Sequence, residues 1–372
     1  MRIAPFQMER WQSTYEHRVR YNLSESGVHP LSVSELLELA GRGEGVDDIR
    51  LGYGQSNGSD ELRELIAADY PGATEASVLA TTGGAEANFV SFWHLFEEGG
   101  TVAVVLPTYA QVPGLVESFG GCIAPVPLLE EEGWQPDLDA LADALASGAR
   151  CVLVTNPNNP TGASLTARSM SGIADLTERH GAWILADEVY AGAELGEQRT
   201  PSFWGCHERV LVTNSLSKAY GLPGLRLGWI VGPPSTVAQL WGRTDYTTIT
   251  PASLSDALGR VALEPDTRAR LRERTRGIVR GNLAMLEAWM NDQGGRFHYR
   301  APDAGAICFA RYDAEIGSTE LAEKLRVDQD VLVVPGDHFA RDHHLRLGYG
   351  IPEVELREAL DRVRDTFDGL TA

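Results

Sequence analysis

The segment "VTNSLSKAYGLPGLRLGWIVG" places several side chains that could do chemistry between two apolar runs. Ser215, Ser217 and Lys218 follow the first run, and Arg226 begins the second. Hydroxyl groups and a guanidinium can together hold a dianionic phosphate. A lysine amine can form a Schiff base with a carbonyl compound that lies beside it. Because most lysines are solvated surface groups, this segment becomes informative only together with other residues.

Two other segments could bind charged parts of a ligand. The sequence Gly83-Gly84-Ala85 lies between an apolar run and a helical pattern, where free backbone N–H groups and the helix dipole favour an anion. Taken alone, it is equally compatible with a simple tight turn. Asp187 ends the apolar run "AWILAD", so its carboxylate should be partly buried and should need a cationic or hydrogen-bonding partner. A protonated ring nitrogen would be such a partner.

Three neutral side chains complete the candidate set. Asn159 and Tyr190 follow neighbouring apolar runs, and Tyr109 offers an aromatic face for a planar ring. Each could instead be an ordinary turn residue or core aromatic. Together with Lys218 they match one ligand, an aldehyde-bearing pyridine phosphate. Such a ligand needs an amine, an acid opposite its ring nitrogen, donors at its phenolic oxygen and an anion site.

The elements that must position these residues alternate along the chain. From about residue 77 to 232, short β-branched runs such as "TVAVVL", "RCVLVT" and "RVLVTN" alternate with longer helical patterns. This alternation predicts a mostly parallel sheet with helices on both faces, and in such sheets ligands bind at the carboxyl ends of the strands. The polar clusters should therefore meet at one edge.

A different pattern begins beyond Pro251. A long charged helix, "TRARLRERTRGIVRGNLAMLEAWMND", is expected to present its arginines to solvent. The short strands and helices that follow it predict a separate α+β unit. The first forty or so residues have no strand ladder of their own and are expected to pack on that unit.

Composition excludes several classes of protein. The chain has 372 residues and a formal charge of -20, which disfavours nucleic acid and anionic lipid as partners. It contains no apolar stretch long enough for a signal peptide or a membrane span, so a cytoplasmic location is expected. Its four cysteines are far apart and its histidines lack ligand spacing, so neither a metal site nor a disulfide framework is predicted.

Three motifs carry a resemblance to a known family. "NPNNPTG", "ADEVY" and "SLSKAYGLPGLRLGW" resemble those of the fold-type I pyridoxal-phosphate-dependent class I/II aminotransferases, and the similarity extends from about Tyr53 to the C-terminus. The resemblance implies an α/β fold with a mostly parallel seven-stranded sheet between helices, and a small α+β domain from both termini. We expect an N-terminal segment at 1–45, a large cofactor-binding domain at 46–255 and a small domain at 256–372.

The resemblance also implies a role for each candidate residue. Lys218 would bind pyridoxal 5′-phosphate as a Schiff base, with Asp187 and Tyr190 as the other catalytic residues. Tyr53 would reach the phosphate of a neighbouring subunit, which implies a homodimer with shared active sites. Arg346 would bind the α-carboxylate of the substrate, with Asn159 beside it. The remaining cofactor contacts would be Gly84, Ala85, Tyr109, Asn159, Ser215, Ser217 and Arg226.

One segment departs from the family pattern. Where common members carry Gly-x-Pro, this chain reads "NLSESGVHPLSVSELLEL", and Ser24, Glu25, Ser26 and Gly27 form an unusual set. The segment is more similar to the branch that contains capreomycidine synthase and other antibiotic-pathway enzymes. Glu25, Ser26 and Gly27 are therefore expected to face the substrate, with Glu25 binding a cationic group. Alternatively, Glu25 caps a helix that starts near Leu31, or is simply exposed.

These features predict an enzyme that acts on an α-amino acid through an external aldimine and a quinonoid, with Lys218 as the base at Cα. Because the core motifs match ordinary aminotransferases, transamination is the expected reaction. Elimination or cyclisation by the same cofactor chemistry remains the alternative. A non-enzymatic ligand sensor is a remote third reading, since no helix-turn-helix pattern precedes the family match.

Overall fold

The computed structural model describes residues 3–42, 46 and 48–371. The helices are α1 (Gln7–Tyr15), α2 (Val33–Leu39), α3 (Asp60–Ala67), α4 (Gly84–Phe96), α5 (Gln111–Ser118), α6 (Leu138–Ala146), α7 (Ala167–His180), α8 (Pro234–Thr244), α9 (Ser253–Leu263), α10 (Pro265–Asn291), α11 (Ser318–Gln329) and α12 (Glu353–Thr371). The strands are β1 (Tyr21–Asn22), β2 (Val78–Thr81), β3 (Thr101–Leu106), β4 (Cys122–Leu129), β5 (Gln135–Pro136), β6 (Cys151–Thr155), β7 (Trp183–Asp187), β8 (Val210–Ser215), β9 (Gly228–Val231), β10 (Phe297–Tyr299), β11 (Ile307–Tyr312), β12 (Val331–Leu332), β13 (Val334–Pro335) and β14 (His344–Gly348).

A large sheet with strand order β2-β9-β8-β7-β6-β3-β4-β5 forms the centre of the fold. The five neighbouring strands from β8 to β4 are parallel, whereas β9 pairs antiparallel with both β8 and β2. The α/β fold with a mostly parallel sheet is therefore confirmed. The sheet has one strand more than the seven predicted, because the two-residue strand β5 adds an antiparallel hairpin at the β4 edge.

The sheet is buried on both faces, which explains its near-continuous apolar strands. Along β6, Val152 and Val154 belong to one hydrophobic cluster, while Cys151 and Leu153 belong to the cluster on the opposite face. This alternation follows from the two-residue period of a strand. Polar residues appear only where β6 and β7 end, and the register pairs Asp187 with Thr155 and with Thr213 of β8. Parallel register thus brings the polar strand ends to one edge.

A second sheet, with antiparallel order β10-β11-β14-β13, packs with helices α10, α11 and α12 around its own core. The N-terminal segment divides between the two units. Leu23 and Val28 join the second core, whereas Met8 and Leu36 join a cluster of the large sheet. The predicted domain boundaries at 45/46 and 255/256 remain predictions, and residues 43–45 lie outside the described part of the chain.

The arginine face of α10 differs from expectation. Arg268 and Arg272 turn towards the body of the protein, and Arg272 donates to Asp69 at 2.6 Å and to the Tyr220 hydroxyl at 2.8 Å. The solvated-face prediction was therefore wrong for these two residues, since the partly buried carboxylate of Asp69 on another segment is their partner. Within residues 3–42, 46 and 48–371, no helix is both long and apolar enough to cross a membrane.

Candidate active site

A cavity of about 340 Å³ opens at the carboxyl edge of the parallel strands, and its volume lies within the range of small-ligand sites. It brings together residues from α1, the segment after β1, α4 and the ends of β6, β7 and β8. Twelve of the predicted site residues line it: Glu25, Ser26, Gly84, Ala85, Tyr109, Asn159, Asp187, Tyr190, Ser215, Ser217, Lys218 and Arg226.

Lys218 lies in this cavity against Glu25. The Lys218 Nζ atom donates to Glu25 Oε1 at 2.7 Å, and the same oxygen accepts from the backbone N–H groups of Ser26 and Gly27. The charge of Lys218 lowers the pKa of Glu25 from its ordinary 4.5 to about 2. Burial opposes the ammonium form of Lys218, but the negative charge of Glu25 raises the pKa of Lys218 above its ordinary value. The two side chains therefore form an ion pair.

The structure corrects one alternative for Glu25. Helix α2 begins at Val33, and its N-cap is Ser32, whose side chain accepts from the Glu35 N–H while Glu35 binds the Ser32 N–H. This capping box supplies hydrogen-bond partners for backbone N–H groups at the start of α2, without any contribution from Glu25. The prediction that Glu25 caps the helix near Leu31 was therefore wrong, because that role belongs to residues already at the helix end.

Asp187 is buried at the end of β7 and is held by uncharged donors. The Asn88 Nδ2 atom donates to Asp187 Oδ2 at 2.9 Å, and the Val189 N–H donates to the other oxygen at 3.2 Å. Burial raises the pKa of Asp187, while these hydrogen bonds oppose the rise. The carboxylate lines the cavity and has no ion-pair partner among the residues that the structure describes, so it can take a cationic group of a ligand.

The anion end of the site is built around the start of α4. Gly83 has φ of +81°, and a Cβ at this position would lie 2.5 Å from Arg226 Nη2, so only glycine lets the guanidinium pack beneath the loop. The Ser217 N–H donates to Ser215 Oγ at 3.2 Å, which brings both serines to the same end. N–H groups at the helix start, two hydroxyls and one guanidinium form a fitting phosphate site.

The aromatic residues occupy the middle of the cavity. The Tyr109 hydroxyl donates to Glu9 of α1 at 2.8 Å, which leaves its ring as part of the cavity wall. Tyr190 Oη is buried and has no hydrogen-bond partner within the described part of the chain. A buried hydroxyl without a partner is costly, so this atom is suited to a polar atom of a ligand.

Three predicted residues lie outside the lining. Gly27 packs behind Lys218, and Tyr53 has 88% of its surface exposed and does not line the cavity of its own chain. Arg346 is buried one layer below the wall, where Nη1 donates to Asn159 Oδ1 at 2.9 Å and Nη2 donates to the Ser24 carbonyl at 2.5 Å. Asn159 thus connects Arg346 to the cavity.

The sequence interpretation missed residues that α1 contributes. Glu9, Gln12 and Glu16 lie three and four positions apart, on one helical face, and all three line the cavity. The spacing of these three polar residues in the sequence could have predicted that they lie on one face of a helix. Asn88 was also missed, and nothing in its position within a helical pattern distinguishes it from a surface asparagine. No group of three or more potential metal ligands occurs among the residues that the structure describes.

Comparisons with known proteins agree with this geometry. Residues 30–363 match the family described as aminotransferase class I and II. The chain belongs to this family. It is 32% identical to capreomycidine synthase of Streptomyces vinaceus, over 96% of this chain and 92% of that protein. A pyridoxal-phosphate-dependent aminotransferase from Streptococcus suis shares the fold with a TM-score of 0.93 and 28% identity, covering 100% of this chain and 99% of that one. The PLP-dependent cyclase OrfR gives a TM-score of 0.89 and 26% identity, covering 100% and 98%.

The family resemblance is thus confirmed, and the cofactor is pyridoxal 5′-phosphate. The residues present fit it. Among residues 3–42, 46 and 48–371, Tyr190 Oη has no hydrogen-bond partner and Asp187 has no cationic partner, and the start of α4 with Arg226 forms an anion site. The individual residue roles remain predictions.

Proposed function

We propose that the chain acts on an α-amino acid whose side chain carries a positive charge, and that its reaction is transamination. The observation that supports the substrate class is the contact of 2.7 Å between Lys218 and Glu25. When the Lys218 nitrogen is engaged by the cofactor, Glu25 loses its cationic partner inside the cavity. An unpaired carboxylate at such a site is unfavourable, so a cationic substrate group that replaces Lys218 would be bound selectively.

The same contact would couple substrate binding to proton transfer. Glu25 raises the pKa of Lys218, and a protonated amine cannot act as a base. A substrate cation that neutralises Glu25 removes this effect. Lys218 is then free to accept the Cα proton. A neutral substrate would leave Glu25 bound to Lys218 and the base blocked.

Other residues of the cavity have supporting tasks. Pyridoxal phosphate, when bound, supplies an aldehyde for the substrate amine and an electron-withdrawing ring. Asp187 would hold a proton on the ring nitrogen, and Tyr190 Oη would donate to the phenolic oxygen. Arg346, reached through Asn159, would bind the α-carboxylate. Each task matches the chemistry of the side chain.

Transamination requires the fewest catalytic groups in addition to Lys218, Asp187, Tyr190 and Arg346. Lys218 needs only to return the proton it has accepted. Loss of a hydroxyl or an amine from the substrate also needs an acid at the leaving group, in addition to the base at Cα. The cavity therefore supports transamination more directly than elimination.

Elimination followed by cyclisation is the second candidate. It is supported by the similarity to capreomycidine synthase over 96% of the chain and by the likeness to the PLP-dependent cyclase OrfR. The presence of Glu25 where common members carry Gly-x-Pro agrees with a substrate other than a dicarboxylate or an aromatic amino acid. In this case a hydroxyl-bearing cationic amino acid would be the substrate.

A single experiment separates these functions. The holoenzyme is mixed with lysine, ornithine, arginine and 3-hydroxyarginine, with norleucine as the uncharged match for lysine, and no keto acid is added. Transamination forms keto acid in an amount equal to the active sites and then stops. Product that continues to accumulate indicates the cyclase or lyase and contradicts transamination. If norleucine reacts as fast as lysine, the proposed substrate class is wrong.

We also infer that the enzyme is a homodimer with shared sites. Leu51, Tyr53 and Tyr246 each expose more than four-fifths of their surface, 81%, 88% and 82% respectively. Large apolar and aromatic side chains that are this exposed are suited to contact with a second copy of the chain. Tyr53 could then reach the phosphate site of the partner, as the family resemblance implies.

A further inference from the structure

Asn88, on α4, makes a chain of hydrogen bonds that ends at Asp187. Thr213 Oγ1 donates to Asn88 Oδ1 at 2.6 Å, and Asn88 Nδ2 donates to Asp187 Oδ2 at 2.9 Å. Asn88 and Thr213 are both buried, with 2% and 0% of their surface exposed. Parallel register places Thr213 directly beside Asp187 on the neighbouring strand. All three residues therefore have fixed partners.

The bonds give the Asn88 amide one orientation. Its oxygen faces the Thr213 hydroxyl, and its nitrogen faces two acceptors, Asp187 Oδ2 and, at 3.4 Å, Gln111 Oε1. A flipped amide would place its oxygen against the oxygen of Asp187, a contact that only a protonated Asp187 could make favourable. The Thr213 proton could otherwise go only to the Ala186 carbonyl, 3.5 Å away. Thr213 therefore selects the amide orientation that donates to Asp187.

A donor amide favours the ionised form of a carboxylate, because that form accepts hydrogen bonds on both oxygens. The Val189 N–H donates to the second oxygen and leaves the remaining acceptor positions directed at the cavity. Burial alone would favour neutral Asp187, which could not balance a protonated ring nitrogen.

We propose that Asn88 and Thr213 are positioning residues that keep Asp187 ionised and directed at the ring nitrogen of the cofactor. The proposal rests on the role of Asp187 given under the proposed function. Thr213 does not line the cavity, so it acts only through Asn88. Asn88 acts through Asp187. Asn88 also lines the cavity, but its hydrogen bond to Asp187 is the contact on which the proposal depends.

The test compares two probes, pyridoxal 5′-phosphate and its carbocyclic analogue, in which C–H replaces the ring nitrogen. Each is titrated into the full-length chain after removal of the cofactor, and the ratio of the two Kd values reports the contact at the ring nitrogen. Thr213→Val removes the hydroxyl at constant shape, while Thr213→Ser retains it. We expect Thr213→Val to reduce the preference for the natural cofactor about tenfold, Asn88→Ala about ten- to a hundredfold, and Thr213→Ser less than threefold.

A second readout is the ¹⁵N chemical shift of cofactor labelled at the ring nitrogen, measured in the reconstituted holoenzyme. Thr213→Val and Asn88→Ala should move it towards the unprotonated value, and Thr213→Ser should not. Equal loss of affinity for both probes, with an unchanged shift, would show a merely structural role and overturn the proposal. Equal effects of Thr213→Val and Thr213→Ser would also overturn it. The valine and serine pair decides the matter even if Asn88→Ala does not fold.

Asp187→Asn distinguishes failure of this proposal from failure of the proposed site. If that variant keeps the full preference for the natural cofactor, Asp187 does not bind the ring nitrogen, and both statements are wrong. If it abolishes the preference while the Thr213 and Asn88 variants do not, only the positioning role is wrong.

Discussion

Glu25→Gln should destabilise the cofactor-free protein, because the substitution removes the charge from the ion pair with Lys218. The amide retains the size of the side chain and can still accept from the Ser26 and Gly27 N–H groups, which contact Oε1 at 2.8 and 3.0 Å. The charge is thus the main difference. If the cofactor binds the Lys218 nitrogen, as proposed, the same substitution should have a smaller effect in the holoenzyme.

The magnitude follows from the pKa of Glu25, which is lowered from 4.5 to about 2. For a fully buried pair this would correspond to about 3 kcal/mol. Because 39% of the Glu25 side chain is exposed, solvent screens the pair, and we expect about 1 to 2 kcal/mol at pH 7. A carboxylate whose pKa is depressed in the folded state stabilises above its unfolded pKa. The difference between parent and variant should therefore shrink as the pH falls from about 4.5 towards 2.

Urea unfolding of the parent and Glu25→Gln, at pH 7 and pH 3, measures this directly. Glu16→Gln is the matched control, because Glu16 lines the same cavity but makes no hydrogen bond to Lys218. The reasoning is refuted if Glu25→Gln has no effect at pH 7, or if its effect is equally large at pH 3. An identical loss in Glu16→Gln would also refute it, since the general charge of the cavity would then explain both.

Three further predictions concern the predicted site residues. Borohydride reduction and peptide mapping should place the cofactor on Lys218, and an adduct on Lys324 of α11, whose amine binds Asp328 at 2.8 Å, would contradict the site. Tyr53→Phe should weaken cofactor affinity of the dimer by several-fold, measured by titration beside sedimentation; an unchanged Kd in a monomeric holoenzyme contradicts the shared site. Arg346→Ala should weaken amino-acid binding about a hundredfold while the absorbance of the resting holoenzyme is unchanged, and equal binding would exclude a carboxylate contact.

The sequence predicted well which residues at the strand ends come together in the cavity, because their positions depend on where the strands end. The apolar runs end at Asp187, at Ser215 and at the asparagines near Asn159. These polar residues must therefore lie at the ends of their strands. Parallel strands then bring these ends to one edge. The capping box of Ser32 and Glu35 was also readable as S-x-x-E, and its use would have removed the capping alternative for Glu25.

The substrate end could not be predicted in the same way. Its residues come from segments whose docking depends on tertiary contacts, such as Trp11 of α1, whose indole donates to the Val333 carbonyl at 2.8 Å. Periodicity shows that α1 has a polar face but not what that face covers. Likewise, the sequence pattern of β14 predicts that Arg346 lies in a strand. It does not predict that Met8 and Ser24 contact the Arg346 guanidinium.

This difference bears on how selectivity can arise in the protein. Residues that hold the phosphate and ring must satisfy the same cofactor in every member of the family, so they discriminate poorly among substrates. Glu25, by contrast, lies beside Lys218 and can bind either the catalytic amine or a substrate cation, but one carboxylate cannot fully pair with both. A cationic substrate that binds Glu25 would release the base as it binds. Selectivity and activation would then depend on the same carboxylate. Glu25→Gln should therefore raise the KM for lysine and increase the kcat for norleucine, since no carboxylate then holds Lys218 in its protonated form; unchanged kinetic constants for both substrates would contradict this.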